Sequence, residues 1–346
     1  MKTTITTRLA LFAAISMTGT LGSQAAMLLY EGFDYTPGLF TTTLNGQSGG
    51  TGMTGSWTAP NTSGAPPTVY ASPNGFGVIA AGTTPGPWWN GTVTSVPQTG
   101  NYVGSTADHT VAPSPTASNG NTPDHMWASR GLASTVTSSF TPGTITWMSY
   151  VVAENFSNNG NGTGGMLAIG QGVFDHSAGP LDPSAGRGWE VNGGMAIGIG
   201  ITNSVPKHYT AAIWGTPDGA TNYLMNDYTS IAGTPTQHTT TGPPFIGLAK
   251  IVWGDATTAT TISVAAFIDG TVLTEGGFDT SPNLVTSTAI VDPSTFTNIS
   301  LGGSRFNVDE LRIGTTFGDA IGAAVPEPSV ALLSLLGLGF LRRRRS

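Results

Sequence analysis

The sequence predicts an all-β fold, and more specifically an antiparallel β-sandwich. Apolar residues in the body of the chain alternate with a period of two over short runs, which is typical of strands. Clusters of Gly, Asn, Asp and Pro separate these runs, as expected for turns between antiparallel strands. The chain has no cysteine but contains eight Trp and fourteen Phe. A body of roughly 300 residues can therefore bury a core without disulfides.

The N-terminal residues 1–25 have the pattern of an export leader. Lys2 and Arg8 supply a basic start, residues 9–17 (LALFAAISM) form a short apolar run, and small residues follow at 23–25 (SQA). Signal peptidase cuts after such small residues, so we expect a signal helix that is removed directly after them. An uncleaved N-terminal anchor is the alternative interpretation.

Two runs in the middle of the chain carry the clearest strand patterns. Residues 144–152 (TITWMSYVV) are apolar on both faces, which predicts a central, covered strand. Residues 261–270 (TISVAAFIDG) alternate and end in Asp269-Gly270, a dipeptide that favours a hairpin turn. Further strands are predicted for residues 165–170 (GMLAIG), 194–201 (GMAIGIGI), 209–214 (YTAAIW), 244–253 (PFIGLAKIVW) and 311–314 (LRIG).

Two polar stretches interrupt this pattern. Residues 105–125 are rich in Ser, Thr, Pro and Asn, and residues 155–165 (NFSNNGNGTGG) have the composition of a flexible loop. Neither a repeat at fixed period nor a linker between domains is found in the sequence. We therefore predict one β-sandwich domain over residues 27–322.

The C-terminal residues 323–346 form a segment of three parts. These parts are the motif Pro326, Glu327 and Pro328, the apolar run 329–341, and the arginines Arg342, Arg343, Arg344 and Arg345. The two prolines keep the motif out of a helix, which leaves it open to a protease. The apolar run is predicted to be a hydrophobic helix, although it is shorter than the about 20 residues that usually span a bilayer. The arginines would stay on the cytoplasmic side of a membrane, which places the body outside.

This ending resembles the PEP-CTERM sorting signal, in which the same three parts occur in the same order. The resemblance implies that an exosortase, a membrane cysteine transpeptidase, cuts the exported chain at the Pro-Glu-Pro motif. The body would then be released or attached to the cell envelope. The expected processing partners are exosortase and signal peptidase, and a plain C-terminal membrane anchor is the alternative.

A second resemblance covers the two ends of the body. Residues 28–57 resemble the opening, and residues 307–320 the closing strand, of many exported proteins that carry this kind of tail. Met53 stands where those proteins usually have Trp. Their bodies are similar to concanavalin A-like, laminin-G-like jelly rolls, so the resemblance implies that the first and last strands pair. These domains share no catalytic residues, and the resemblance implies no active site.

The acidic residues do not form a catalytic pattern. Glycoside hydrolases need two carboxylates that face one groove, and on a strand only residues two apart share a face. Asp309 and Glu310 are adjacent, so alternation predicts opposite faces for them. Glu310 would form an exposed ion pair with Arg312, whereas Asp309 would lie with Leu311 and Ile313 at the core margin, bonded to backbone N–H groups. We assign no catalytic residue, and no Gly-x-Ser-x-Gly motif is present.

Metal-binding patterns are weak. The chain has five scattered histidines: His109, His125, His176, His208 and His238. None lies at His-x-His or His-x-x-x-His spacing, so we predict neither a metal site nor a cofactor. A structural calcium ion is the alternative, with ligands from Asp175, Asp182 and Asp227 in predicted loops.

Two adjacent tryptophans suggest one possible binding surface. Trp88 and Trp89 lie within GPWWNG, between turn residues. The flat apolar face of an exposed indole can stack on a sugar ring, whereas a buried one would close the end of the core. We keep glycan stacking and core packing as alternative interpretations of this pair.

Charge further limits the function. Without residues 1–25 and 323–346 the body keeps 6 basic and 18 acidic residues, which gives a net charge of −12. Nucleic acid and anionic lipid need basic patches, so neither is an expected ligand. We expect an exported, non-enzymatic protein of the cell envelope or extracellular matrix that contacts exopolysaccharide. The alternatives are a carbohydrate-active enzyme, either hydrolase or lyase, and a purely structural surface protein.

Overall fold

Two antiparallel sheets pack face to face in the structure. It is a computed structural model that describes residues 27–36, 44–58, 76–79, 96, 101–105, 125–154, 164–171, 195–201, 208–214, 224–230, 245–268, 270–304 and 306–322. Sheet A has eight strands, in the order β13 (Val285–Ala289), β12 (Thr260–Ile268), β11 (Phe245–Val252), β6 (Ile145–Glu154), β15 (Phe306–Gly314), β4 (Tyr102–Ser105) and β3 (Phe76–Ile79), with β1 (Met27–Glu31) also paired to β15. Sheet B has seven, in the order β10 (Leu224–Ser230), β9 (His208–Trp214), β8 (Ala196–Ile201), β7 (Gly164–Gly170), β14 (Asn298–Ser304), β5 (His125–Leu132) and β2 (Met53–Thr58). The predicted antiparallel sandwich is confirmed.

The helices of the described residues are short. They are α1 (Ser134–Thr137), α2 (Glu275–Asp279), α3 (Phe317–Ala320) and a 3-10 turn at Pro293–Thr295. Thr316 caps α3 through a reciprocal pair of bonds with Asp319, and Thr274 caps α2 by accepting from the Gly277 amide. The caps satisfy amides that so short a helix would otherwise leave open.

Strand β6 is central and covered, as its two apolar faces predicted. It lies between β11 and β15. Met148 and Tyr150 point into the layer between the sheets, where the main core lies. Trp147 and Val151 point to the other face of sheet A, into a second apolar layer. That second layer includes Phe278 of α2 and Phe317 of α3, so the two helices cover the outer face of sheet A.

The hairpin predicted at Asp269-Gly270 is wrong. Strand β12 ends at Ile268, and its antiparallel partner β13 begins only at Val285. Gly270 does have a left-handed backbone, with φ of 89°. The chain that follows leaves the sheet to place α2, with its buried Phe278, over the outer face. The tight turn itself forms, since the Thr271 amide donates to the Ile268 carbonyl at 3.2 Å. The turn leads to α2 rather than back into the sheet because this path buries the apolar outer face.

The first and last strands pair, as the resemblance implied. Leu29 of β1 lies opposite Ile313 of β15, and Met27 lies opposite Gly314. Strand β6 starts at the same end of sheet A, because Trp147 pairs with Gly314. We call this end of the sandwich, where β1 begins and β15 ends, the closing end.

Several predicted segments lie outside the described residues. They are the leader 1–25, the C-terminal segment 323–346, and all but the ends of the polar stretches 105–125 and 155–165.

Within the described ranges, no helix has the length and apolar character needed to cross a membrane.

Candidate functional site

A buried carboxylate at the far end of β1 joins the two sheets. Glu31, at the end of β1, lies on the same face as core residue Leu29 and is almost fully buried. Its Oε2 lies 3.3 Å from Nη1 of Arg130, which extends from β5 in sheet B. Both side chains therefore lie between the sheets. This ion pair links the first strand of sheet A directly to sheet B.

Three further donors complete the environment of Glu31. The Tyr35 hydroxyl donates to Oε2 at 2.6 Å and the Trp57 indole N–H donates to the same oxygen at 3.1 Å. The Phe33 amide donates to Oε1 at 2.9 Å. Phe33 takes a left-handed backbone, with φ of 50°, which costs a non-glycine residue free energy. This conformation accompanies the bond between the amide and the carboxylate two residues earlier.

Arg130 is also bonded to the backbone of the opening motif. Its Nη1 donates to the Gly49 carbonyl at 2.7 Å and its Nε to the Gly55 carbonyl at 3.0 Å. The Gly49 amide in turn donates to the Tyr35 hydroxyl at 2.9 Å. Residues of the 28–57 motif thus surround one buried arginine.

This environment keeps the Tyr35 phenol protonated. Burial raises the pKa of Tyr35 well above its ordinary value, and the hydrogen bond and negative charge of Glu31 add to the effect. The Gly49 amide and the Arg130 charge oppose it. Tyr35 therefore serves Glu31 as a hydrogen-bond donor throughout the neutral range.

A second charged cluster lies on the outer face of sheet A. Glu310 is fully buried and forms an ion pair with Arg312. The Tyr30 hydroxyl donates to Glu310 at 3.3 Å, and the Arg312 guanidinium lies 5.2 Å from the centre of the Tyr30 ring. The predicted pairing of Glu310 with Arg312 is confirmed, but its predicted exposure is wrong. Helix α3 and Gly322 pack over the arginine and bury the pair.

The face predicted for Asp309 is also wrong. The side chains of Val308, Leu311 and Ile313 all point into the main core. The first two are three residues apart rather than the two that regular alternation would give. The register against β6 shifts between Asp309 and Arg312, and Glu310 has a φ of 55°. A bulge at Glu310 therefore turns Asp309 to the outer face. There its Oδ1 accepts the Glu310 amide at 2.8 Å, which matches the predicted bond to a backbone N–H group.

Asp309 affects a nearby phenol on this outer face. Burial raises the pKa of Tyr102 to about 12, and the charge of Asp309 adds to the shift. Tyr102 belongs to the second apolar layer. A protonated phenol is therefore favoured next to this carboxylate.

The two buried glutamates cannot act as a catalytic pair. Glu31 reaches between the sheets to Arg130, whereas Glu310 lies on the outer face with Arg312. The backbone of sheet A separates them, so they share no groove in which a glycosidic bond could lie between them. Each is held by an arginine and a tyrosine hydroxyl. These clusters close the fold rather than carry out acid–base chemistry.

The middle of sheet B has small side chains on its outer face. In register across four strands lie Ser129, Ser300, Ala168 and Gly198. The two serine hydroxyls lie 2.8 Å apart and are buried. This row offers neither a carboxylate for hydrolysis nor an aromatic ring for stacking on a sugar.

The structure does not describe most of the residues that were predicted to bind or to be processed. Outside the described residues lie Trp88, Trp89, Asp175, Asp182, Pro326, Glu327, Pro328, Arg342, Arg343, Arg344 and Arg345. Asp227 was predicted in a loop, but it lies within strand β10, so that prediction is wrong. Among the residues that the structure describes, no group of three His, Asp or Glu side chains could hold a metal ion.

The sequence interpretation missed the roles of Glu31, Arg130 and Tyr30. A signal was present, because Arg130 is one of only six basic residues in the body and lies in a strand-like run between Ser129 and Gly131. A lone arginine among small strand residues needs a buried acidic partner. The partner could not be identified from the sequence, since Glu31 lies 99 residues away.

No protein-family model matches the sequence, and no curated protein matches it.

Several solved structures with a similar fold are lectins or lectin-like domains. A legume lectin-like domain from Entamoeba histolytica is 12% identical, with 69% of this chain and 89% of that chain covered and a TM-score of 0.30. A lectin from Bauhinia forficata in complex with GalNAc is 12% identical, with 75% and 99% covered and a TM-score of 0.34. Peanut lectin is 8% identical, with 75% and 97% covered and a TM-score of 0.33. The two-sheet sandwich of this chain is defined by its own strand pairing.

Proposed function

We propose that this chain is an exported, non-enzymatic protein of the cell envelope or extracellular matrix. In this proposal signal peptidase removes the leader 1–25, and an exosortase acts at Pro326, Glu327 and Pro328. The membrane holds the precursor through the apolar run 329–341 until that step. The mature body is then anchored at the envelope or released.

The observation that carries the proposal is the position of the two ends of the folded body. Strand β1 begins at Met27, directly after the predicted leader, and it is paired along its length with the last strand, β15. The described chain continues through α3 to Gly322, directly before the predicted sorting segment. Processing at both sites would leave every described strand and both buried ion pairs intact.

A non-enzymatic role is supported by the use of the buried carboxylates. Glu31, Glu310 and Asp319 each accept bonds from side chains or amides that hold the fold together. Loss of the Glu31 or Glu310 bonds would weaken the contacts that hold the first and last strands, and loss of the Asp319 bonds would remove the cap of α3. A surface role requires only that the sandwich survive outside the cell, which this buried network supports without disulfides.

Mass spectrometry of the mature protein tests the processing. In a host with an exosortase, we expect an N-terminus at Ala26 and loss of residues 329–346. Replacing the motif with Pro326→Ala and Pro328→Ala should keep the tail on the chain, whereas Ala323→Gly and Ala324→Gly should not. An intact tail on the mature wild-type protein would rule out cutting at the motif and leave a plain membrane anchor.

Contact with exopolysaccharide is the second part of the proposal. The support is the adjacent pair Trp88 and Trp89 between turn residues, since exposed indoles stack on sugar rings. In a polysaccharide pull-down, Trp88→Ala and Trp89→Ala should reduce retention, and Val272→Ala, at an exposed site in the same body, should not. Unchanged retention in both tryptophan variants would remove this site.

A further inference from the structure

Exposed apolar side chains are concentrated at the closing end of sheet A. Exposed fractions are 45% for Met27, 39% for Ile145, 38% for Val252 and 45% for Ile290. Met27 starts β1, Ile145 starts β6, Val252 ends β11, and Ile290 follows the last residue of β13. We call these four residues the closing rim. Val272, which follows the other end of β12, is the one further exposed large apolar side chain among the described residues, with an exposed fraction of 85%.

Strand register places three of the four rim residues on one face. Lys250 of β11 lies opposite Trp147 of β6, and their side chains meet on the outer face. Val252 is two residues after Lys250, Ile145 is two residues before Trp147, and these two lie opposite each other. Thr261 of β12 pairs with Val252 on one side and with Thr288 of β13 on the other, and Ile290 follows two residues after Thr288. Because alternate residues share a face, Ile145, Val252 and Ile290 border the outer face at the closing end.

The chain leaves the described body next to this rim. Helix α3 lies on the outer face, where Phe317 packs against Trp147 with ring centres 5.2 Å apart. The Ser149 hydroxyl donates to the Ala320 carbonyl. Gly322 lies against the Arg312 guanidinium. The last described residues are therefore packed against the sandwich. Arg312, which Gly322 contacts, lies two residues before the end of β15 at Gly314.

Little chain separates this fixed point from the predicted membrane segment. Only residues 323–328 lie between Gly322 and the apolar run 329–341. Even fully extended, such a tether spans at most about 20 Å. Arg312, which Gly322 contacts, lies two residues from the closing end of β15 and six from its other end at Phe306. Along the strands the closing end is therefore about 7 Å from this fixed point and the opposite end about 20 Å, which only a fully extended tether would reach.

We propose that, while the tail holds the precursor, the closing rim rests against the surface of a neutral lipid bilayer and the opposite end points away from it. This inference rests on the proposed function, since it needs the apolar run 329–341 in the membrane. The short tether keeps the rim at high local concentration near the lipid, so a small apolar surface is sufficient. Asp255 and Asp292, in the described turns that flank the rim, are acidic. The contact is therefore apolar rather than electrostatic.

The absence of cysteine makes the orientation measurable with single labels. The exported chain with its tail is placed in phosphatidylcholine nanodiscs, with a fluorophore on Ile290→Cys at the rim or on Val272→Cys at the opposite end. Lipids with spin-labelled headgroups quench a fluorophore close to the bilayer surface. We expect the rim label to be quenched several times more strongly than the Val272 label.

Two changes test the cause of that difference. Ile145→Thr with Val252→Thr keeps β-branched residues on the strands but removes apolar surface, and should lower quenching of the rim label. A long Gly-Ser insertion between Gly322 and Ala323 should lower it further. Val272→Thr, in the chain labelled at the rim, should leave it unchanged. Thermal melting checks that each variant is folded, and Val252→Thr alone replaces the double variant if that one is not.

The outcomes separate this inference from the proposed function. Equal quenching of the two labels on chains that remain in the nanodisc would overturn the orientation and leave the tail's role intact. A difference that survives the threonine variants would overturn the rim contact. Failure of the full chain to enter nanodiscs would overturn the membrane role of the tail, and this inference with it.

Discussion

At the scale of single residues, two buried ion pairs hold the first and last strands in place. Glu31 with Arg130 lies between the sheets, and Glu310 with Arg312 lies on the outer face of sheet A. A buried pair adds little net stability over well-packed apolar residues, but removing one partner leaves an uncompensated charge. The pairs therefore specify which strands meet more than they increase the free energy of unfolding.

Glu31→Gln should be strongly destabilising because it leaves the Arg130 charge buried without a counter-charge. We expect a loss of about 3–5 kcal/mol in the free energy of unfolding, from urea titrations followed by tryptophan fluorescence. Asp279→Asn is the matched control, since its pair with Lys250 is exposed and should cost less than about 1 kcal/mol. Equal losses in the two variants would contradict the role assigned to Glu31.

Tyr102 should make the protein sensitive to alkali. Its pKa is raised to about 12 by burial and by Asp309, whereas the unfolded phenol titrates near 10. The stability that this phenol contributes is thus complete below about pH 10 and is lost as the pH rises toward 12. Tyr102→Phe should flatten the fall of the urea midpoint over that range. A phenolate absorbance difference between the two proteins with a midpoint near 10 would refute the shift.

At the scale of elements, irregular backbone on β15 and directly after β1 changes the direction in which side chains and amides point. The bulge at Glu310 sends Asp309 and Arg312 outward while Leu311 and Ile313 remain in the core. Directly after β1, the left-handed Phe33 donates its amide to Glu31. Bulges and left-handed residues have a cost, and it is offset here by the buried bonds that they permit.

Gly52 should be more sensitive to substitution than another left-handed glycine of the same motif. Its φ is 76°, and an added Cβ would lie 2.1 Å from the Leu28 carbonyl oxygen of β1. Gly46 has a φ of 82° but no atom within 4 Å of such a Cβ. Gly46→Ala should cost about 1–2 kcal/mol for the backbone alone. Gly52→Ala should cost clearly more in urea unfolding, and similar costs would show that close approach to β1 is unimportant.

At the scale of the whole molecule, the fold is closed by contacts between residues that are far apart in the chain. Tyr30 bonds to Glu310 over a separation of 280 residues. The main core needs both sheets, and the second apolar layer needs α2 and α3 in place over sheet A. Strands β1 and β15 can therefore pair only once nearly all of the body between them is in place.

Refolding of the chain without residues 1–25 should be slow for this reason. Folding rates fall as contacts become less local, and all-β proteins commonly need milliseconds to seconds. Trp57 fluorescence reports the contact with Glu31. Double-jump experiments identify the refolding phases that are due to proline isomerisation. Among the remaining phases, we expect the Trp57 fluorescence to recover in the slowest. Recovery of this signal within the fastest phase would contradict closure as a late step.

Much of the fold followed from the sequence because period-two alternation is a local property. The strands within 144–152, 165–170, 244–253 and 261–270 were predicted from it and are confirmed. The hairpin at Asp269-Gly270 failed because a buried face outside the dipeptide decided the path. The face predicted for Asp309 was wrong because a single bulge, at Glu310, breaks the alternation between Asp309 and Leu311. The tail, the leader and the pair Trp88 and Trp89 stay predictions.

The sequence by itself determined the class of fold, the strand-like runs and the motifs at both ends, since these depend on neighbours along the chain. Only the tertiary structure showed that Glu31 meets Arg130, that Glu310 is buried with Arg312, and that apolar residues gather at the closing end. The physical reason is distance along the chain. Which side chains meet between distant strands depends on register, bulges and the cover supplied by helices, and no local pattern contains that information.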